Sequence, residues 1–249
     1  MCSSDLLNEA REACVDAIAA SREAALVGQP RAQLLCETLG VFACYETGDM
    51  RAAQVHLEQE MRLIRQLGAR RFEAQNLEMQ ARVLLESGKR EEAARVLRES
   101  LALCREVGMQ FSAPKALSAL SCAVDDDAER ARMLAEGADL LRRGAVGHNH
   151  LWFYRDAIDA MLSVRDPAGA LRYIEALEQY TRAEPLPWAQ LFAARGRVLA
   201  AALDDSVDEG FLPELQGVRA GLVAAGFDGA RRAVDAALAV IQTSRKGDR

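Results

Sequence analysis

The 249-residue chain is half apolar (50%), with a formal net charge of -6 from 31 Lys and Arg interspersed among 37 Asp and Glu, which supplies a substantial core and excludes both disorder and a phosphate-binding surface as its main business. Aromatics make up only 5%; Ala, Leu, Arg and Glu recur throughout, a palette of small and straight-chain helix formers. Sustained alternation and hairpin turns are missing, no apolar run approaches the ~20 residues of a membrane span, and no charged-then-apolar leader opens the chain, so the expectation is an all-α, cytoplasmic protein with neither nucleic acid nor membrane as partner.

Met1-Cys2-Ser3-Ser4-Asp5-Leu6 resembles the translation of a common sequencing adapter and is read as a non-native scar. The first helix is expected near 5–27, ended by Gly28, and the second over 30–46, opened by Pro30 and stopped before Gly48. The third and fourth, 50–67 and 70–87, run up to Gly68 and Gly88; the fifth, 90–107, ends at Gly108. Pro114 lies near the start of the sixth at 112–123. Asp125, Asp126 and Asp127 favour the positive end of the seventh, 127–143, which Gly144 closes. The eighth covers 148–164, Asp166-Pro167 caps and starts the ninth at 167–182, and Pro187 starts the tenth at 187–203. Helices at 209–225 and 228–244 complete the chain, leaving 245–249 as a disordered polar tail.

The breakers keep a beat. Gly28, Gly68 and Gly108 are each 40 residues apart, and so are Gly48 and Gly88 in a second, interleaved series, which makes the unit a pair of helices joined by short turns. Gly48-x4-Ala53-x3-Leu57 returns as Gly88-x4-Ala93-x3-Leu97, and Ala170-x3-Ile174 repeats the small-then-large step. A small residue four positions before a large one lets neighbouring helices approach while the larger side chain fills the adjoining groove. The prediction is a tetratricopeptide-like superhelical solenoid of about six antiparallel hairpins, one domain over 7–244 with one continuous core.

The repeat is similar to the tetratricopeptide family, in a long-helix form nearer 40 than 34 residues and without that family's Trp and terminal Pro in most units. Gly147-His148-Asn149-His150-Leu151-Trp152-Phe153-Tyr154-Arg155-Asp156-Ala157-Ile158, then Leu177-Glu178-x-Tyr180-Thr181-Arg182-x-Glu184-Pro185-Leu186-Pro187-Trp188 and Ala194-Arg195-Gly196-Arg197, resemble more specifically the C-terminal repeat region of bacterial adenylate/guanylate cyclase-type signalling proteins, which join a cyclase domain, an ATPase domain and tetratricopeptide repeats. The resemblance implies a regulatory region for attached output domains. It does not imply cyclase activity, and Ser87-Gly88-Lys89-Arg90, with Val83 upstream, is no phosphate loop.

Polar and aromatic residues concentrate at one place. His148, Asn149, His150, Trp152 and Arg155 fall within eight positions and form the candidate partner-binding site; two histidines without a third ligand do not make a metal site. Leu151, Tyr154, Ile158 and Met161 share the core face of the same helix, Arg155 is expected to pair with Asp159, and Trp188 to anchor its loop. Arg51, His56 and Arg62 read as solvated. The six cysteines, Cys2, Cys14, Cys36, Cys44, Cys104 and Cys122, lack metal spacing and read as small buried hydrophobes. No nucleophile and base, carboxylate dyad or metal cluster stands out, so the expected role is a non-enzymatic, cofactor-free protein-interaction module whose partner is a protein segment or the parent protein's own output domains. The alternative is a peptide or small-ligand sensor of the kind found in tetratricopeptide-containing transcriptional regulators.

Overall fold

A computed structural model describes residues 10–203 and 210–247, with side chains to residue 243; the expected scar at 1–6 and residues 248–249 lie outside the described residues. Twelve helices and no strand are found among the described residues: α1 (Ala10–Leu26), α2 (Pro30–Glu46), α3 (Met50–Leu67), α4 (Arg70–Glu86), α5 (Arg90–Val107), α6 (Ala113–Ala123), α7 (Asp127–Arg142), α8 (His148–Ser163), α9 (Pro167–Thr181), α10 (Pro187–Leu203), α11 (Phe211–Ala224) and α12 (Asp228–Gly247). From α2 to α11 the ends fall within two residues of those expected, while α12 continues to Gly247.

Local chemistry sets these ends. Gly48 and Gly88 take the left-handed conformation (φ +78° and +75°), which lets the next residue's N–H reach back to close the helix: Asp49 N to Cys44 O at 2.9 Å and Lys89 N to Leu84 O at 3.0 Å. The following helix is then capped from the same turn. The carboxylates of Asp49, Asp126 and Asp166 accept from the backbone N–H of Ala52, Glu129 and Gly169 at 2.9, 2.6 and 2.8 Å. Ala53, Leu57, Ala93, Leu97, Ala170 and Ile174 are all buried, as the small-then-large spacing requires.

Each helix packs on its neighbour in sequence, and the even-numbered helices also touch their next-but-one neighbours through the series α2, α4, α6, α8, α10, α12. The series closes, because α12 returns to α2. Arg232 of α12 reaches Glu86 of α4 at 2.7 Å and the Gly48 carbonyl at 3.3 Å. From the other end, the Ala10 N–H bonds the Ala225 carbonyl at 3.2 Å and Arg11 pairs with Asp228 at 2.7 Å. The even helices therefore form an inner ring, with the odd helices outside it and a seam where the first and last helices meet.

Buried apolar residues fall into a large cluster spanning α8 to α12 together with Ala10 of α1, a second across α4 to α7, and three smaller ones. Among them, on the inner helices α2, α4, α6 and α8, lies a group of buried charges.

Candidate functional site

Glu78 and Arg82 on α4, Lys115 on α6, Asp156 and Arg155 on α8, and Glu46 on α2 are all buried. Arg82 donates both terminal nitrogens to Asp156, Nη1 to Oδ1 at 2.8 Å and Nη2 to Oδ2 at 2.7 Å, and its Nε to Glu78. Ser118 donates to Asp156 Oδ2 at 2.6 Å. The Lys115 ammonium lies 3.4 Å from Glu78 Oε2, close enough to pair but off hydrogen-bond geometry. On the opposite side Arg155 Nη1 meets Glu46 Oε1 at 2.5 Å. Burial alone would neutralise such groups. Burial does push the Glu78 carboxyl up, but Arg82 and Lys115 outweigh it and hold it below the usual carboxylate range; burial lowers Lys115, with Glu78 opposing, and raises Glu46, with Arg155 opposing.

Aromatic faces complete this plug. Trp152 lies 5.4 Å from Phe42 and 6.0 Å from Tyr45, with the Arg82 and Arg155 guanidinium carbons 4.6 and 5.0 Å from its ring. Lys115 Nζ sits 4.9 Å from the Phe42 ring, and Arg155 4.5 Å from that of Phe192. Because Phe42, Tyr45 and Glu46 belong to α2 and Trp152 and Arg155 to α8, these contacts join the two sides of the ring across its lumen.

Next to the plug lies a cavity of about 500 Å³. Five arginines line it (Arg82, Arg90, Arg155, Arg195 and Arg232) against three carboxylates (Glu86, Asp156 and Asp159), with Gly229 and Ala230 at the N-terminus of α12. Arg195 is fixed by Asp159 at 2.5 Å and by the Ala230 carbonyl at 3.0 Å, and Arg90 reaches Asp125 at 3.1 Å. The inner arginines are buried; Arg90 and Arg232, at 44% and 50% side-chain exposure, form the mouth. A lining with more guanidinium than carboxylate, beside the N-terminus of α12, favours a negatively charged group.

The five residues singled out in the sequence divide between two places. Trp152 and Arg155 are in the plug, and Arg155 pairs with Glu46, not with Asp159, which Arg195 takes instead. Asn149 is buried at the start of α8, where its amide donates to the Gln110 and Phe111 carbonyls at 3.2 and 3.1 Å and ties α8 to the turn before α6. His148 faces the Phe111 ring edge-on at 6.3 Å, and burial, reinforced by Lys115, pushes its imidazole down to about 3. His150 stacks on Tyr180 at 4.1 Å. Trp188 is buried beside Phe192 at 4.3 Å, an anchor as expected.

His56 corrects the reading of a solvated residue. It is buried, with Nδ1 2.6 Å from Glu37 Oε2, because the α2 helix presents Gly40 beneath its ring. Sequence reasoning also missed Glu46, Glu78, Arg82, Lys115, Asp156 and Arg195. Their signal was charge at helix positions that the repeat makes inward-facing, visible only once the ring is known to close.

No group of three or more His, Cys, Asp or Glu placed to hold a metal ion is found among the described residues, and no described helix is long and apolar enough to cross a membrane. Comparison of the chain with family models, with curated proteins and with solved structures finds no match.

Proposed function

We propose that this chain is a tetratricopeptide-like regulatory binding module, the C-terminal region of a bacterial cyclase- and ATPase-linked signalling protein, which receives an acidic protein segment at the mouth of the axial cavity and catalyses no reaction. The observation that carries this reading is the convergence of five arginines from α4, α5, α8, α10 and α12 on one cavity in a chain of net charge -6. Fixed guanidiniums recognise carboxylates with geometry as well as charge. A binding role also accords with the pairing of the buried charges among themselves: Asp156 is held by Arg82 and Ser118, and the cavity's thiol, Cys122, is kept protonated by burial, which leaves neither a free base nor an activated nucleophile there.

The test uses the two mouth arginines, whose exposure lets them change without opening the plug. Labelled acidic peptides should bind the chain with a strong salt dependence, and Arg90→Glu with Arg232→Glu should weaken them at least ~tenfold, about 1.4 kcal/mol, measured at a temperature where parent and variant are both fully folded, since Arg232 also pairs with Glu86. Equal affinity for acidic and basic peptides, or no effect of the double reversal, rejects the site.

The cavity volume of about 500 Å³ favours a second reading, the small-ligand sensor, since small-molecule sites typically occupy ~300–1,000 Å³. Under that reading free dicarboxylates raise the melting temperature while peptides do not bind.

A further inference from the structure

We propose that Cys14 and Cys44 are a peroxide-oxidisable dithiol that closes to a disulfide and fastens the seam of the ring. Cys14 lies partly exposed on α1 and Cys44 buried on α2, with their sulfurs 3.1 Å apart; a covalent S–S bond of about 2.05 Å then needs little backbone movement. The two differ in the way such chemistry requires. The hydrogen bond with Cys44, in which either sulfur can donate, and the nearby His56 outweigh burial and bring the Cys14 thiol down to about 7. His56 is itself raised by its hydrogen bond to Glu37, which also accepts from Ser21. Cys44 is pushed up by the same hydrogen bond and by burial. Cys14, the sulfur that solvent can reach, is the attacking thiolate, and buried Cys44 the resolving thiol. Cys36, Cys104 and Cys122 are all raised, burial being the main cause.

The oxidant is a hydroperoxide. The Cys14 thiolate attacks one oxygen of hydrogen peroxide, the O–O bond breaks, and the departing hydroxide takes a proton from solvent to leave as water. Cys14, oxidised by two electrons, becomes a sulfenic acid. The Cys44 sulfur then attacks the Cys14 sulfur, the S–OH bond breaks, and the Cys44 proton leaves with that hydroxide as a second water. Two thiols and one peroxide give one disulfide and two waters.

The bond would tie α1 to α2, and α1 is the element that reaches the end of α11 through Ala10 and the first residue of α12 through Arg11. Oxidation therefore fixes the clasp of the ring, and with it the α12 wall of the axial cavity.

The full chain carrying Cys2→Ser and Cys36→Ser is treated with hydrogen peroxide, alkylated and digested with trypsin without reduction; Cys36 must go because the tryptic peptide 32–51 contains both it and Cys44. The proposal expects peptide 12–22 linked to peptide 32–51, loss of two titratable thiols, and a melting temperature raised by about 5 °C or more, all reversed by dithiothreitol. In Cys44→Ser the same treatment should leave a dimedone-reactive sulfenic acid on Cys14. A Cys14 that stays reduced, or that ends as a dimedone adduct with Cys44 present, overturns the dithiol. A linkage that forms without raising the melting temperature overturns the fastening of the seam.

Discussion

The indole of Trp152 is held between Phe42 and Tyr45 of one helix and the guanidiniums of Arg82 and Arg155, so its removal strips both an apolar filler and a cation–π face from the ring axis. Trp152→Ala should cost ~3–5 kcal/mol in denaturant unfolding. A loss of peptide binding at unchanged stability would instead place this side chain at an exposed partner surface. Glu60 offers a second residue-level test. It is buried, accepting from Thr38 Oγ1 at 2.6 Å and from Asn76 Nδ2 at 2.7 Å, and burial raises it to about 7. A carboxyl raised in the folded state binds more protons folded than unfolded, so its contribution falls as pH rises from the ordinary carboxylate range through about 7. His56, raised by Glu37, acts in the same sense, its stabilisation being lost as pH climbs past its folded value. His148, pushed down, acts in the opposite sense below its ordinary value, so the test is the difference between variant and parent: Glu60→Gln should remove a pH-dependent loss of up to about 3 kcal/mol between pH 5 and pH 8. An unchanged slope in the variant would show that Glu60 is ionised throughout. The sequence hid these groups because nothing local marks His56 or Glu60 as inward-facing: the apolar positions of α3 already account for its packing.

At the scale of the element, the turns were legible and their exceptions instructive. Gly and Asp act within two or three residues of where they stand, so the helix ends follow from residues adjacent in sequence. The turn between α8 and α9 has the same geometry without the glycine: Arg165 sits at φ +57°, and the Asp166 N–H reaches back to Met161 O at 3.0 Å. A left-handed non-glycine residue is strained. Arg165→Gly should therefore stabilise the chain by about 0.5–1 kcal/mol, read as a higher midpoint in urea at constant slope; a lower midpoint would mean that the exposed arginine makes a contact worth more than the strain. Glycines inside helices were not legible in this way. A Cβ on Gly196 would lie 2.8 Å from Ile174 Cδ1 and one on Gly40 2.9 Å from the His56 ring, so these glycines set how closely α10 meets α9 and α2 meets α3, a demand that comes entirely from the partner helix.

For the whole molecule, the repeat could be read from local periodicity but its closure could not. The contacts that make the ring join residues far apart: Arg82 to Asp156 across 74 positions and Arg155 to Glu46 across 109. No period of 40 announces them. They also change the expected energetics, because an open solenoid is held by neighbour contacts alone and frays from its ends, whereas here α1 and α12 are joined to each other and to the middle. Amides of α1 and α12 should exchange with the same free energy as those of α8, in one cooperative unit. Faster, graded exchange towards both ends would show that the seam contributes nothing.

The same plug imposes a schedule on biosynthesis. The apolar side of α2 that carries Phe42 and Tyr45 is covered by Trp152, which a ribosome working at ~5–20 residues per second adds roughly 5–20 s later. Until then the first three hairpins stand beside the exit tunnel with two aromatic rings and the Glu46 carboxylate uncovered, a window in which a chaperone, or a second nascent copy of the same chain, competes with α8 for that surface.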